Sequence, residues 1–173
     1  MTTAPVIRTD RLRLRGHVMA DFEPLYALFA SDRARYMDGP IPARDTWFWV
    51  AAEVGSWPLQ GIGSWGIERQ SDGAFLGQVG INKPQHFPER EIGWVLLQAF
   101  EGHGYAREAA EAALGWARTQ RFDTLVSYID RENARSVALA RRLGATEDPS
   151  APLPDGDTPE DTVVYRHALA GAA

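Results

Sequence analysis

The chain has 173 residues, of which 45% are hydrophobic and 24% charged, a globular composition that suits one domain (1–173) and excludes a disordered or fibrous class. It has no cysteine, so a disulfide scaffold, a thiolate zinc site and a cysteine nucleophile are all excluded. The net charge of −5 lies entirely beyond residue 146, where six acids face Arg166 alone; without a basic face, no nucleic-acid partner is expected.

The opening MTTAPVIRTD lacks the basic start and apolar core of a signal peptide. Arg11–His17 alternates apolar and basic residues, the period of a half-buried strand. Asp21 is placed to cap a helix with Phe22, Leu25, Tyr26 and Phe29 on one face. After the turn Asp38-Gly39-Pro40, a second helix is predicted over Arg44–Gly55. Gly63–Glu68 and Phe75–Ile81 read as strands joined by the turn Gln70-Ser71-Asp72-Gly73. Glu91–Leu97 is nearly continuous apolar and reads as a buried strand. Its apolar run Trp94–Leu97, the best in the chain, is far too short to span a bilayer, so no membrane partner is expected and a cytoplasmic location is.

Tyr105–Arg121 is predicted helical, with Ala106, Ala110, Ala113, Leu114 and Ala117 forming a narrow face of small residues. Leu125–Ile129 is a short strand. Asn133–Leu143 is a helix that Gly144 ends, with Arg141 and Arg142 suiting its dipole. A Pro-, Asp- and Gly-rich loop over 149–160 precedes a last strand near Val163–His167. The order predicts an α/β fold with a mixed sheet and helices on its faces.

Two segments carry chemistry. In Glu101-Gly102-His103-Gly104-Tyr105-Ala106, glycines permit a tight turn between strand and helix and let backbone N–H groups approach a ligand. The helix start adds its positive dipole end. This suits a pyrophosphate, with His103 and Arg107 as charge partners; a plain strand-to-helix turn reads the same residues equally well. Arg107 stands where a dinucleotide fingerprint wants glycine or alanine, which weakens a Rossmann reading. About 30 residues later comes Asn133-Ala134-Arg135-Ser136, followed by Leu139-Ala140-Arg141-Arg142-Leu143-Gly144-Ala145. Alone, Asn133 is a helix cap and Ser136 a first-turn hydroxyl.

Together the two segments resemble the GNAT superfamily of acyl-CoA-dependent N-acetyltransferases. There a Gln/Arg-x-x-Gly-x-Gly/Ala turn binds the coenzyme A pyrophosphate, and an Asn-x-x-Ser/Ala segment flanks the pantetheine arm. Thr9–Arg15, Glu91-Ile92-Gly93-Trp94 and the late Asp161…Val164-Tyr165-Arg166 are similar to the branch that includes the ribosomal-protein N-terminal alanine acetyltransferases. The resemblance implies a mostly antiparallel mixed sheet of about seven strands with helices on both faces. It also implies acetyl-CoA as co-substrate, held by Val95, Leu96, Leu97, Gly102, His103, Gly104, Tyr105, Ala106, Arg107, Asn133 and Ser136. A homodimer is common in that branch. The sequence departs from the pattern twice. Glu101 replaces Gln or Arg, and Ala140 stands where many members have a tyrosine acid, leaving Ser136 as the substitute.

The implied reaction is direct attack of a primary amine, on a small molecule or a protein N-terminus, in a ternary complex. Holding the two reactants together removes part of the entropic barrier. Charge developing on the carbonyl oxygen calls for an N–H donor, which the family takes from a bulged strand before the glycine turn, here Val95–Leu97. Glu91 is the candidate base, through water, and His86 the alternative. Tyr36, Trp47, Trp49 and Trp57 are either an acceptor pocket or core, and the acidic loop Asp155–Asp161 either steers a cationic amine or is merely solvated. A non-catalytic acyl-CoA sensor of the same fold, or a nucleotide-binding protein of another fold, stay open alternatives. No metal site is expected.

Overall fold

The computed structural model describes residues 3–37 and 39–169; Asp38, part of the turn expected before the second helix, lies outside them. Eight strands form one sheet. They are β1 (Ile7–Arg8), β2 (Leu12–Arg15), β3 (Ser64–Arg69), β4 (Phe75–Asn82), β5 (Glu91–Leu96), β6 (Thr124–Asp130), β7 (Thr146–Glu147) and β8 (Thr162–Ala168). The spatial order is β1-β2-β3-β4-β5-β6-β8-β7, antiparallel throughout except for the parallel pair β5–β6. This is the mixed, mostly antiparallel sheet that the sequence leads one to expect. Its two additional strands, β1 and β7, have only two residues each, too few to show a period.

The strand alternation sorts side chains onto two faces. Leu12, Leu14, Trp65, Ile67, Val79, Ile81 and Ile92 meet helix α3 (Tyr105–Thr119). Ala109, Ala110, Ala113 and Ala117 are fully buried there, so the helix lies close against the strands. Ala106, expected on that stripe, is instead half-buried. Helix α4 (Ala134–Arg142) packs Ala140 with Ile129, Val163 and Tyr165. Across the sheet, α1 (Phe22–Phe29) and α2 (Ala43–Gln60) cover Phe75, Val95 and Leu97.

Two expectations are corrected. Asp21 does not cap α1: the Arg15 guanidinium takes its carboxylate (2.7 and 2.9 Å), and the Val18 N–H and His17 Nδ1 complete its shell. A buried charge with this many partners outweighs the roughly 1 kcal/mol a cap is worth. And α2 runs past Gly55 to Gln60, because Trp57 anchors its last turn by edge-on packing against Trp65 and Trp116 and by donating Nε1–H to the Ser64 carbonyl (3.0 Å).

Candidate active site

Strands β5 and β6 touch at only one end. Glu91 pairs with Val126, the Val126 N–H reaches the Arg90 carbonyl (3.0 Å), and Ser127 Oγ donates to the Ile92 carbonyl (2.7 Å). Past Ile92 the strands part, and the gap opens into a cleft of about 1180 Å³ lined by Trp94, Val95 and Leu96 from β5. The exposed strand backbone therefore comes from this parting. The bulge expected in β5 is absent: its ladder with β4 runs unbroken from Asn82–Glu91 to Gly77–Leu96, and the register shift falls between β3 and β4, at Ile67 and Glu68. Leu97 is turned to the α1–α2 core, and its N–H is spent on the Leu76 carbonyl (2.8 Å).

At one end of the cleft lies the glycine turn. Gly102 and Gly104 both have φ near +79°, a conformation side chains disfavour. Helix α3 starts at Tyr105, and its first intrahelical acceptor, the Gly104 carbonyl, serves Glu108 (3.1 Å). The N–H groups of Tyr105, Ala106 and Arg107 thus have no partner within the helix. Gly102, Gly104, Tyr105, Ala106 and Arg107 line the cleft, whereas His103 does not. The carbonyl of His103 accepts from Arg11 Nη1 (3.0 Å), and the same guanidinium holds Glu108 (2.7 Å) and lies over the Tyr105 ring. A residue at the head of β2 therefore ties the turn down, and nothing in the spacing of the sequence announces that.

Opposite the turn, Asn133 caps α4 by accepting from the Ser136 N–H (3.2 Å), and both residues line the cleft. Ala140 is fully buried in the apolar cluster, so its position faces away from the opening. The sequence reading missed Arg33, Arg35, Arg135 and Arg142, which make the cleft rim basic. Glu101 bridges Arg33 and Arg135, the latter at 2.6 Å. Of the four aromatics considered for an acceptor pocket, Tyr36 alone lines this cleft. Trp57 is core, Trp49 packs edge-on against Phe29, and Trp47 sits on Phe22 at the surface.

Glu91 lies at the far end of β5, outside the cleft lining, ~13 Å along the strand from Val95. Burial pushes its pKa up to about 8, helped by the nearby charges of Glu53 and Asp157 and opposed by the Tyr128 backbone N–H. Glu53, on the inward side of α2, is likewise raised by burial, to about 7. It shares one helical face with Thr46 and Trp57, a spacing legible in the sequence but passed over. His86, the alternative base, is exposed and packs on Phe87. Among the described residues no helix is long and apolar enough to cross a membrane, and no group of His, Asp or Glu could hold a metal ion.

A mixed sheet that splays into a basic-rimmed cleft, with bare strand backbone on one wall and free helix amides at one end, defines a group-transfer enzyme built for a phosphorylated acyl carrier. The family described as acetyltransferase (GNAT) domain matches residues 11–146, and the chain belongs to it. It is an acetyltransferase with acetyl-CoA as co-substrate, and the cleft fits that molecule, offering amides and guanidinia to phosphate and an extended backbone edge to the pantetheine amides. The uncharacterized protein YkkB of Bacillus subtilis strain 168 is 34% identical over 142 residues, covering 79% of this chain and 82% of that protein. An acetyltransferase from Agrobacterium tumefaciens C58 superposes with a TM-score of 0.90 at 40% identity, over 96% of both chains. The fold also matches the Salmonella typhimurium enzyme that modifies the N-terminal serine of ribosomal protein L7/L12, with a TM-score of 0.74, 21% identity and coverage of 95% and 99%.

Proposed function

We propose that this enzyme, one catalytic domain spanning 1–173, acetylates a primary amine, either a protein N-terminal α-amine or the amine of a small molecule. The supporting observation is the parting of β5 from β6, which leaves Trp94–Leu96 as a bare wall facing the N-terminus of α3. Acetyl-CoA supplies an activated acyl group. The chain supplies the rest. The N–H groups of Gly102 and of Gly104–Arg107, with Arg33 and Arg135 at the rim, hold the diphosphate. The β5 backbone N–H of Leu96, on the side that β6 leaves open, donates to the carbonyl oxygen as negative charge builds there. Ser136, a half-buried hydroxyl in the first turn of α4, is the proton source for the departing sulfur.

The amine must be neutral to attack. An α-amine has a pKa of about 7.7–8.0, so a proton moves at little cost to a carboxylate lifted toward neutrality, as Glu53 and Glu91 both are. A lysine side chain, near 10.4, would need roughly 3–4 kcal/mol more. The reading therefore favours α-amines and weakly basic amines. Asp157, on the acidic loop beside Glu91, adds negative charge that draws a cationic acceptor in. A cytoplasmic location and a homodimer accompany this reading. The test is titration calorimetry with acetyl-CoA, followed by thiol release against tripeptides with free N-termini, tyramine and spermidine. Binding with release on at least one amine is expected; binding without release on any primary amine would overturn it.

A further inference from the structure

On the α2 side of the sheet, the β4–β5 register stacks three rows. Gln78 lies opposite Val95, Gly80 opposite Gly93, and Asn82 opposite Glu91. Directly paired residues share a face, and successive rows on that face are ~7 Å apart. The middle row is two glycines, so neither strand sends a side chain of its own from between the Val95 level and the Glu91 level. The space over Gly80 is taken by its neighbours: a Cβ there would stand 1.9 Å from Ser64 Oγ and 2.7 Å from Asn82 Nδ2.

Two carboxyls converge on this glycine row. Glu91 leans along its own strand, its Cδ 3.7 Å from where a Gly93 Cβ would be. Glu53 descends from α2 and accepts from Gln78 Nε2 (2.6 Å) in one row and from Asn82 Nδ2 (3.3 Å) in the other. Glu53 thus links the side chains of the two outer rows, the one beside Val95 and the one beside Glu91. Gln78 Oε1, Asn82 Oδ1 and His17 Nε2 are buried there without a protein partner, polar atoms of the kind that hold water.

We propose that Glu53 is the proton-accepting carboxyl for the reacting amine, reached through water held at Gln78, and that Glu91 is coupled to it through charge. This rests on the reading of Val95–Leu96 as the wall against which the acyl group is placed. Each turnover takes two protons from the ammonium as the C–N bond forms and the C–S bond breaks. The first passes to the Glu53 carboxylate and on to solvent; the second ends on the sulfur. The titratable groups facing Glu53 are His17, from the segment after β2, and Glu91, from β5; Asn82, Gln78 and Ser64 present neutral groups. His17 Nδ1 is engaged by Asp21 (3.2 Å). Both carboxyls are lifted toward neutrality by burial, and the charge of Glu53 raises Glu91 further.

The test combines two readouts on wild type, Glu53→Gln, Glu53→Asp and Glu91→Gln. In protein carrying glutamate labelled with carbon-13 at Cδ, two carboxyl resonances titrate near neutral pH, and Glu53→Gln shifts the midpoint of the Glu91 resonance downward. With benzylamine and trialanine as acceptors, Glu53→Gln lowers kcat by about 10²–10³-fold at pH 7 and leaves the KM for acetyl-CoA within about twofold. The deficit closes as pH rises toward the pKa of the amine, and Glu53→Asp recovers part of the rate. Carboxyls that titrate independently at ordinary values, or a Glu53→Gln enzyme with the wild-type pH profile, overturn the proposal. Failure to bind acetyl-CoA, or to turn over either amine, counts against the proposed function instead, and the resonance titration still decides the carboxyl pair.

Discussion

Glu101 holds Arg135 at 2.6 Å and Arg33 on its other oxygen, so one carboxylate joins the turn after α1 to the first turn of α4 across the cleft rim. It occupies the two guanidinia that an incoming diphosphate would use. Half-exposed ion pairs of this kind are worth about 0.2–1 kcal/mol each, less than the repulsion between a carboxylate and a diphosphate at the same rim.

Replacing Glu101 with Gln therefore tightens coenzyme A binding. The Kd should fall about three- to tenfold at low ionic strength, and the gain should shrink in high salt as screening grows. Titration calorimetry at two salt concentrations reads this directly. A weaker Kd at both concentrations would mean that Glu101 serves mainly to pre-position the arginines.

Gly104 separates binding from folding. A β-branched side chain at φ +79° costs on the order of 1–2 kcal/mol, and a Cβ there would meet only the Arg11 Nη2 at 3.6 Å, a flexible neighbour. Gly104→Val should lower the melting temperature by only a few degrees while weakening coenzyme A binding at least 100-fold, because it crowds the amides that face the cleft. Thermal melting beside calorimetry checks the split; equal losses in both would make the turn merely structural.

Much of this was legible in the chain. The glycine turn, the small-residue helix behind it and the capped α4 were readable because local backbone needs dictate glycine, alanine and Asn133 at those points. The basic rim was not, since Arg33, Arg35, Arg135 and Arg142 are scattered over segments that only the folded sheet brings together. The role of Glu53 lies between: its place on the inward face of α2 follows from helical spacing, but its partners Gln78 and Asn82 are set by the sheet register. The parting of β5 from β6 is likewise a tertiary feature, and a bulge was expected in its stead.

Gly77 is the residue that permits the β4–β5 register. Its φ is +139°, and a Cβ there would lie 2.2 Å from the Val95 carbonyl oxygen and 2.8 Å from the Leu96 Cα. Both contacts are with backbone in the strand that walls the cleft, so the clash cannot be relieved by a rotamer change. Gly77→Ala should destabilise the protein by about 3 kcal/mol or more, or roughly 6–12 °C, far beyond the few degrees expected for Gly104→Val. Denaturant unfolding of the two variants ranks them, and a near-neutral Gly77→Ala would show that β4 can slip without cost.

The pH dependence of stability follows from three groups of opposing sense, the half-buried Glu53 and Glu91 and the buried His167. Glu53 and Glu91, raised to about 7 and about 8, keep protons in the fold that the unfolded chain releases above the ordinary carboxyl range near 4.3. Their contribution is full below that range and is lost as pH rises through 7 to 8. His167 works the other way. Ser127 Oγ gives its hydrogen to the Ile92 carbonyl, so His167 Nε2 must donate to Ser127, while Nδ1 is buried without a partner. The ring is held neutral, its pKa lowered by burial to about 4, and its contribution is present above 6.5 and lost as pH falls toward 4. Thermal stability should therefore peak at mildly acidic pH and fall toward pH 9. Glu91→Gln, which removes one ionisation, should melt with wild type at pH 5 and above it at pH 9, by a margin on the order of 2–3 kcal/mol once partial exposure is discounted. Scanning fluorimetry across pH 5 to 9 measures both curves, and parallel traces would mean that Glu91 ionises as an ordinary surface acid.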